Sequence, residues 1–387
     1  MSALRIGVFA HSTNPRGGVV HAMQLAEALC DLGHDATLLA PGPAGKPFFR
    51  RTRCPSIVIP GMPASADVEQ LVAMRRVEIA GFLRMSGAPC FDILHAQDSI
   101  SALALSDLRD RKQITGFLRT VHHLDVFPNS RLAAWQDEAV RHADHLFCVS
   151  RAWQAELDRR FGRDSTFVGN GVDTGHFKSL PEARDVALRR RLLPQGGRMV
   201  LALGGVEARK NILGTLSAFL HVLDRHPGLD LHLVIAGGAT LLDHSETRRR
   251  FGQLLGQSAH AGRVVLAGVI PDADMPSLYR NAAMLCFPSL QEGFGLCVLE
   301  AMASGIPVIA SEGAPFDEYL HPGDAICVDP LDNLSIAAAM LQALQPDTIR
   351  QAAINGPVRA RTFDWQQVAG AHLAMYHHFQ QELTHDA

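Results

Sequence analysis

Short apolar runs alternate with segments of helical periodicity along the whole chain. Most of the runs are continuously apolar, which is typical of parallel strands that are covered on both faces. Between the runs the spacing turns helical: in 19–32, apolar residues recur every three or four positions, and Gly33 follows as a stop signal. Twelve runs predict strands, at 5–10, 36–40, 56–60, 92–96, 117–122, 145–150, 199–205, 231–238, 263–268, 283–288, 307–311 and 325–329.

This alternation of strands and helices predicts an α/β fold with doubly wound parallel sheets. Twelve strands are too many for one open twisted sheet, so we expect two domains. The break between them is expected in the polar and basic segment 178–197, which Pro and Gly residues bracket. A last helix is predicted at 363–379, after the final strand of the second domain.

The composition excludes several classes of protein. Of the 387 residues, 47% are hydrophobic and 19% are charged, so the chain is not intrinsically disordered. A formal net charge of −3 does not indicate a nucleic-acid binder. Seven cysteines without a C-x-x-C spacing argue against a disulfide framework or a zinc ribbon. No apolar run reaches the roughly 18 residues of a membrane span, and the N-terminus resembles a short strand more than a signal peptide. We therefore expect a soluble, cytoplasmic protein that binds no nucleic acid.

Two glycine-rich turns follow predicted strands and open predicted helices. The first contains Gly17 and Gly18, which let the backbone approach a ligand while the helix N-terminus offers N–H groups to an anion. The second, at 204–211, carries the adjacent cations Arg209 and Lys210, which suit a diphosphate at the carboxyl end of a parallel strand. Each turn has a plain alternative. A tight strand-to-helix turn needs glycine in any case, and two cations at a helix start can simply be solvated.

The most specific motif is the run at 288–308, in which a strand leads into a Gly-rich loop, a helix and a Gly-Ile-Pro turn. Glu292 lies in the loop, and Glu300 lies within the helix. Backbone N–H groups from Gly293 to Leu296 can bind phosphate oxygens. A carboxylate accepts hydrogen bonds from paired hydroxyls, as on a ribose or a hexose. The alternative is that Glu292 caps the helix and Glu300 is a surface residue.

These motifs resemble those of the family-4 glycosyltransferases of the GT-B fold. Weaker markers support the resemblance elsewhere in the chain, namely the Val-Ser of 149–150, the Asn-Gly-Val-Asp of 170–173 and the helix entry of 270–279. The resemblance implies two Rossmann-like, doubly wound parallel-sheet domains that face a cleft. Residues 1–178, completed by the C-terminal helix 366–387, would form the acceptor-side domain, and residues 179–365 would bind a nucleotide-sugar donor.

The resemblance also implies roles for individual residues. Glu292 would hold hydroxyls of the donor sugar, Glu300 would bind the 2′- and 3′-hydroxyls of the ribose, and Lys210 would neutralise the diphosphate. Many members carry an Arg where this chain has two glycines, at 204–205, and Arg209 would supply that charge. The donor-binding set would be Gly17, Gly18, Arg209, Lys210, Glu292, Gly293, Phe294, Gly295, Leu296 and Glu300.

A histidine completes the implied catalytic set of His122, Glu292 and Lys210. His122 belongs to a Thr-Val-His element whose histidine lies by the donor sugar in the family. The neighbouring His123 is an alternative contact, and either of the two could be a structural histidine.

Two further features bear on cofactors and partners. Asp272 and Asp274 form a D-x-D pair, which could hold a divalent metal but precedes a helix, so we predict helix capping and no metal or other cofactor. The basic segment 46–84 carries seven cations and three carboxylates, +7 − 3 = +4. It could make a weak peripheral contact with an anionic membrane or form an ordinary solvated face.

The predicted function is transfer of a sugar from a nucleotide-sugar donor to an unidentified acceptor. The resemblance implies retention of anomeric configuration, and no residue stands out as a covalent nucleophile. A front-face reaction, in which the leaving diphosphate acts as the base, fits this pattern. The alternatives are a GT-B sugar-nucleotide epimerase or phosphorylase, or a non-catalytic sugar-nucleotide-binding protein.

Overall fold

The chain divides into two compact units in the computed structural model, which describes residues 3–238 and 244–385. One unit comprises residues 1–170 and 364–387, and the other comprises residues 171–363. The unit boundaries thus lie at 170/171 and 363/364, whereas the sequence predicted 178/179 and 365/366. The extreme positions of the predicted first domain, residues 1, 2, 386 and 387, lie outside the described residues.

The described part of the N-terminal unit contains a seven-stranded parallel sheet. Its strands are β1 Arg5–Phe9, β2 Asp35–Gly42, β3 Ser56–Pro60, β4 Ile93–Ala96, β5 Leu118–Val121, β6 His145–Cys148 and β7 Thr166–Phe167, in the order β3-β2-β1-β4-β5-β6-β7. Its helices are α1 Gly17–Asp31, α2 Val68–Leu83, α3 Ser99–Asp110, α4 Ser130–His142 and α5 Arg151–Phe161. The strand order reverses between β1 and β4, which is where doubly wound folds bind ligands.

The described part of the C-terminal unit repeats this plan with six parallel strands. They are β8 Arg198–Leu203, β9 Leu231–Ala236, β10 Val264–Gly268, β11 Ala282–Phe287, β12 Val308–Ser311 and β13 Ile326–Val328, in the order β10-β9-β8-β11-β12-β13. The helices are α6 Ala183–Leu192, α7 Ile212–Arg225, α8 Ser245–Gly256, α9 Met275–Asn281, α10 Leu296–Ala303, α11 Asn333–Ala343 and α12 Pro346–Ala360. Here the order reverses between β8 and β11.

All twelve predicted strands are confirmed, with ends that differ by a few residues. The continuous apolar runs are buried on both faces because helices cover each sheet, as the fully buried neighbours Val8 and Phe9 of β1 illustrate. The additional strand β7 escaped prediction because two residues are too few to show any periodicity. No helix among the described residues is long and apolar enough to cross a membrane.

The predicted break at 178–197 is wrong, because this segment lies inside the C-terminal unit and contains α6. Leu188 and Leu192 of α6 are buried, and Asp185 pairs with Arg280 of α9 at 2.7 Å. The run of arginines at 189–191 made the segment resemble a solvated linker. The helix nevertheless has one apolar face, and that face packs on α9.

The chain ends with helix α13, Trp365–His385, which belongs to the N-terminal unit. It packs on α1 and follows the strands of the C-terminal unit in sequence. Its Tyr376 and His372 are fully buried, and the Tyr376 hydroxyl lies 2.6 Å from His95 Nδ1 on β4. Burial of one such aromatic side chain contributes about 1.5–3 kcal/mol, so α13 is an integral part of the unit.

Candidate active site

Lys210 lies against the glycine turn that ends β8. Gly204 has φ +108° and Gly205 has φ +74°, which are backbone conformations that residues with a side chain rarely adopt. A Cβ on Gly204 would meet Lys210 Cγ at 2.8 Å, so the missing side chain makes room for the lysine. The ammonium also lies 4.5 Å from the ring centroid of Phe287, the last residue of β11. The turn thus brings a cation to the ends of the two central strands, β8 and β11.

Glu292 is buried between the two predicted cations. Its Oε1 accepts from Lys210 Nζ at 2.5 Å, and its Oε2 lies 3.4 Å from Arg209 Nη1. Burial alone would raise the pKa of the Glu292 carboxyl, but the charges of Lys210 and Arg209 outweigh it, and the pKa is lowered. Glu207, which is also buried, lies 3.7 Å from Arg209 Nη2. Two cations and two carboxylates therefore form a compact, neutral cluster.

The loop that follows Glu292 is held rigidly where α10 begins. Gly295, at the N-cap position, has φ +91°, and a Cβ there would meet Phe316 Cε1 at 2.7 Å. Phe294 stacks on Tyr319 with ring centroids 4.5 Å apart, and the Tyr319 hydroxyl donates to the Phe294 carbonyl at 3.0 Å. Gly295 offers no side-chain cap, so the N–H groups of the first turn, beginning with Leu296, are not capped from that position. A helix N-terminus of this kind attracts anions.

Glu300 lies one turn further along α10 and is partly buried. Its Oε2 accepts from the Tyr279 hydroxyl at 2.5 Å, and Tyr279 is fully buried. Burial raises the pKa of Glu300 to about 7, the Tyr279 hydrogen bond lowers it, and the nearby Asp272 raises it further. The Glu300 carboxyl therefore titrates near neutral pH.

In the N-terminal unit, His122 lies against the other predicted glycine turn. A Cβ on Gly18 would meet His122 Cδ2 at 3.2 Å, and His122 Nε2 lies 3.2 Å from Gln97 Oε1. Burial, followed by the neighbouring His21, holds the pKa of His122 well below its usual value, so the ring is neutral. His123 instead points to Asp125, at 3.4 Å, with about a third of its side chain exposed. Of the two candidates, His122 is the one at the turn.

Gly17 and Gly18 differ in what their positions require. Both belong to the first turn of α1, but a Cβ on Gly17 would meet nothing within 4 Å. Packing therefore requires a small residue at Gly18 and does not require one at Gly17.

The matches to known proteins cover both units. A family model described as "Glycosyltransferase Family 4" matches residues 15–176, and one described as "Glycosyl transferases group 1" matches residues 197–346. The chain is 29% identical to the phosphatidyl-myo-inositol mannosyltransferase of Mycolicibacterium smegmatis, over 96% of this chain and 93% of that protein. The chain belongs to the family-4 glycosyltransferases.

Solved structures agree with this assignment at the level of the fold. Sucrose-phosphate synthase from Thermosynechococcus elongatus superposes with a TM-score of 0.77 at 21% identity, covering 98% of this chain and 99% of that one. Anabaena Alr3699/HepE in complex with UDP-glucose gives a TM-score of 0.74 at 18% identity, covering 96% of this chain and 100% of that one. The protein is thus a GT-B glycosyltransferase with two parallel-sheet α/β domains.

The D-x-D pair of this glycosyltransferase lies near basic side chains of the C-terminal unit. Asp274 occupies the N-cap position of α9, but no side-chain capping hydrogen bond forms there. Its carboxylate lies instead 3.8 Å from Arg184 and 3.5 Å from Arg191, both on α6. Asp272 lies 3.7 Å from His176. Within residues 3–238 and 244–385, no group of three or more His, Cys, Asp or Glu side chains could hold a metal ion.

The basic segment 46–84 is less cationic at the surface than its composition indicates. Arg50 pairs with the buried Glu27, Arg53 with Glu27 and Asp31, and Arg76 with Asp107. These carboxylates lie outside the segment, so the local count of +4 omitted them.

Three residues that hold the predicted site residues in place have no role predicted from the sequence. Glu207 holds Arg209, Gln97 holds His122, and Tyr279 holds Glu300. Glu207 and Gln97 each follow a buried strand by a few residues. Because ligands bind at the carboxyl ends of the strands in this fold, that position is the sequence feature that could have indicated them. Tyr279 belongs to the helix-entry marker at 270–279, but nothing in its spacing points to Glu300.

Proposed function

We propose that this family-4 glycosyltransferase moves a sugar from a nucleotide-sugar donor to an acceptor hydroxyl, with retention of anomeric configuration and without a metal ion. The observation that carries the proposal is the cluster in which the partly buried Lys210 and Arg209 pair with the buried Glu292 beside the N-terminus of α10. It combines cations suited to a diphosphate with a carboxylate suited to sugar hydroxyls. The ends of β8 and β11 are also where this fold class binds ligands.

In this proposal the donor exchanges partners with the cluster. The diphosphate takes over Lys210 and Arg209, and the N–H groups that begin at Gly295 and Leu296 add hydrogen bonds and the positive end of the helix dipole. Glu292, released from the cations, accepts from hydroxyls of the donor sugar. The cations and the helix dipole would then neutralise the diphosphate in place of a divalent metal.

Residues of the N-terminal unit complete the proposed set. His122 contacts the transferred sugar as a neutral hydrogen-bonding group, because burial keeps its imidazole uncharged. Gly18 leaves room for that ring. Gly17 and Gly18 bring the N-terminal N–H groups of α1 to the phosphate, as the family resemblance implies.

Retention follows most simply from a front-face reaction. Glu292 is a weak nucleophile, since two cations stabilise its charge and lower its pKa. The acceptor oxygen then bonds to the anomeric carbon as the bond from that carbon to the phosphate oxygen breaks. The hydroxyl proton passes to the leaving diphosphate, which balances the reaction without a protein base. The protein contributes positioning and electrostatic stabilisation.

Mannose is the sugar to test first, and acceptors that carry inositol are the first acceptors. The basis is the M. smegmatis relative, which matches 96% of this chain and is named as a phosphatidyl-myo-inositol mannosyltransferase. Weak peripheral contact with an anionic membrane stays part of this proposal. However, Arg50, Arg53 and Arg76 form ion pairs with carboxylates outside the segment 46–84. The contact therefore depends on a smaller net positive charge than the composition of the segment indicates.

The cytoplasm is the proposed compartment. All seven cysteines lie within the described residues and are free thiols. Burial raises the pKa of Cys286 to about 12, which keeps that thiol protonated and unreactive. Free thiols of this kind suit a reducing compartment.

A thermal-shift screen with UDP, GDP, ADP and TDP sugars tests the proposal. A ligand present at 100 times its Kd should add about 2.7 kcal/mol of stability. The sugar nucleotide that binds should then release its nucleoside diphosphate when an acceptor is added. Turnover that needs phosphate and no nucleotide would indicate a phosphorylase, and release of an epimerised sugar would indicate an epimerase. Binding without any turnover would indicate a non-catalytic binding protein.

A further inference from the structure

Residues from three sequence markers, at 170–173, 270–279 and 288–308, form a chain of contacts that ends at Glu300 in the C-terminal unit. Asp173, from the Asn-Gly-Val-Asp marker, folds a turn in which its Oδ1 accepts from the N–H groups of Gly175 and His176, both at 3.0 Å. The turn leads to Phe177, which is buried and packs edge-to-face on Tyr279 with ring centroids 5.7 Å apart. Tyr279 comes from the helix-entry marker and reaches Glu300 of α10.

The contact between Tyr279 and Glu300 is specific in its chemistry. Tyr279 is fully buried, and its hydroxyl donates to Glu300 Oε2 at 2.5 Å. A tyrosine hydroxyl removed from water needs a partner, but that partner need not be a carboxylate. The chain has three tyrosines, and the other two contact neutral groups: Tyr319 donates to a backbone carbonyl, and Tyr376 contacts His95.

This hydrogen bond fixes one oxygen of the carboxylate and thereby orients the other. With Oε2 engaged by Tyr279, the carboxylate plane cannot turn freely about its terminal bond. Oε1 is then held in one direction and can accept from a ligand hydroxyl. A cis-diol forms two hydrogen bonds in one geometry, so a carboxylate that is held in one direction recognises it better than a carboxylate that turns freely.

We propose that Tyr279 is the positioning residue that holds Glu300 for a ribose cis-diol, and that it thereby sets the preference of this enzyme for ribonucleotide over 2′-deoxyribonucleotide donors. The inference rests on the proposed role of Glu300 in ribose binding. Phe177 acts one step further away, by fixing the ring of Tyr279. Residues of all three family markers then contribute to placing this one carboxylate.

Tyr279→Phe tests the inference, because it removes one buried hydroxyl and keeps the ring. Titration calorimetry would compare UDP, GDP and ADP with their 2′-deoxy forms, using the pair that binds best. In the wild type, loss of the 2′-hydroxyl should weaken binding by about tenfold or more. In Tyr279→Phe this ratio should fall below about threefold, because the carboxylate no longer favours one direction. Loss of a purely structural contact would weaken both ligands equally and leave the ratio unchanged.

Two further variants separate the possible failures. Tyr376→Phe is the matched control, since it removes an equally buried tyrosine hydroxyl in the other unit and should leave the ratio at the wild-type value. Glu300→Gln should itself reduce the ratio of ribonucleotide to 2′-deoxyribonucleotide affinity to near one. An unchanged ratio in Glu300→Gln would overturn the proposed role of Glu300. A collapse in Glu300→Gln combined with a wild-type ratio in Tyr279→Phe would overturn the role of Tyr279 alone.

A packing variant covers the case in which Tyr279→Phe does not fold. Phe177→Leu keeps the Tyr279 hydroxyl but loosens its ring, so the ratio should fall by about twofold to fivefold while the far-UV circular dichroism stays that of the wild type. A folded Phe177→Leu protein with the full wild-type ratio would count against the inference.

Discussion

Replacing Glu292 by Gln should tighten the binding of a nucleoside diphosphate while it slows glycosyl transfer. Glu292 neutralises two cations, with Oε1 2.5 Å from Lys210 Nζ and Oε2 3.4 Å from Arg209 Nη1. A diphosphate must take these cations from the carboxylate before it can bind them. Gln keeps the shape and one acceptor oxygen but removes the negative charge, so this competition ends.

The size of the effect follows from the charges and their burial. Two unit charges about 4 Å apart attract by about 4 kcal/mol at an effective dielectric constant of about 20. Much of this attraction offsets the cost of burying the charges. A net gain of about 1–3 kcal/mol remains for the incoming diphosphate, which is about fivefold to 150-fold in Kd. Loss of charged contacts to the sugar should lower kcat by about tenfold to 100-fold.

The free energy of unfolding of the ligand-free protein should decrease in Glu292→Gln, although the affinity for the diphosphate increases. Glu292→Gln leaves the partly buried Lys210 with only a neutral partner, so the variant should unfold at a lower urea concentration than the wild type. A saturating nucleoside diphosphate should restore more stability to the variant than to the wild type, because its affinity for the variant is higher.

The assay is calorimetric titration with the nucleoside diphosphate that the donor screen selects, together with steady-state transfer rates. Glu69→Gln is the matched control, because Glu69 lies in the other unit and forms a partly exposed ion pair with Arg131 at 3.1 Å. It should change neither Kd nor kcat. Equal or weaker diphosphate binding in a folded Glu292→Gln protein would refute the competition, and with it the use of Lys210 and Arg209 as the diphosphate site.

Three further predictions concern the same unit. Gly204→Ala should weaken nucleoside diphosphate binding by about tenfold, because its methyl group would meet Lys210 Cγ at 2.8 Å and φ is +108°. Gly228→Ala is the control and should have no effect, because a Cβ there meets nothing within 4 Å. Equal affinities of Gly204→Ala and the wild type would contradict this prediction. Because burial raises the pKa of Glu300 to about 7 from 4.5, this carboxyl binds more protons in the folded than in the unfolded state between these values. The Glu300 contribution to the free energy of unfolding in urea should therefore fall as the pH rises from 4.5 to 7, whereas buried histidines such as His122, whose pKa is lowered, contribute with the opposite sign. Glu300→Gln should remove this part of the slope, and an unchanged slope would argue against the raised pKa. Transfer activity should survive EDTA, whereas loss that Mn²⁺ restores would mean that the D-x-D pair binds metal after all.

The strands and the motif at 288–308 could be predicted from sequence because their signals are local. A continuous apolar run reports burial on both faces of a sheet, and the order of strand, glycine loop and helix identifies the ligand-binding end. Glu292 and Glu300 were found in this way, at positions that the structure confirms to be buried or partly buried.

The pairings within the site could not be predicted, because they join residues far apart in the chain. Lys210 and Glu292 are 82 residues apart, and nothing in either motif shows that they share a hydrogen bond. The ion pairs of the segment 46–84 were missed for the same reason, since Glu27 and Asp107 lie outside it. Helix α6 was mistaken for a linker because three arginines hid the two buried leucines on its other face.

The anomeric configuration of the first product tests the central claim most directly. The purified enzyme would be mixed with the α-linked sugar nucleotide chosen by the donor screen, in EDTA and with water as the acceptor, and the free sugar that forms would be followed by NMR before mutarotation. The account predicts an α-anomer at early times, released together with the nucleoside diphosphate, and no product from Lys210→Ala under the same conditions. A β-anomer, or turnover that Lys210→Ala leaves unchanged, would contradict a retaining, metal-independent transfer at this site.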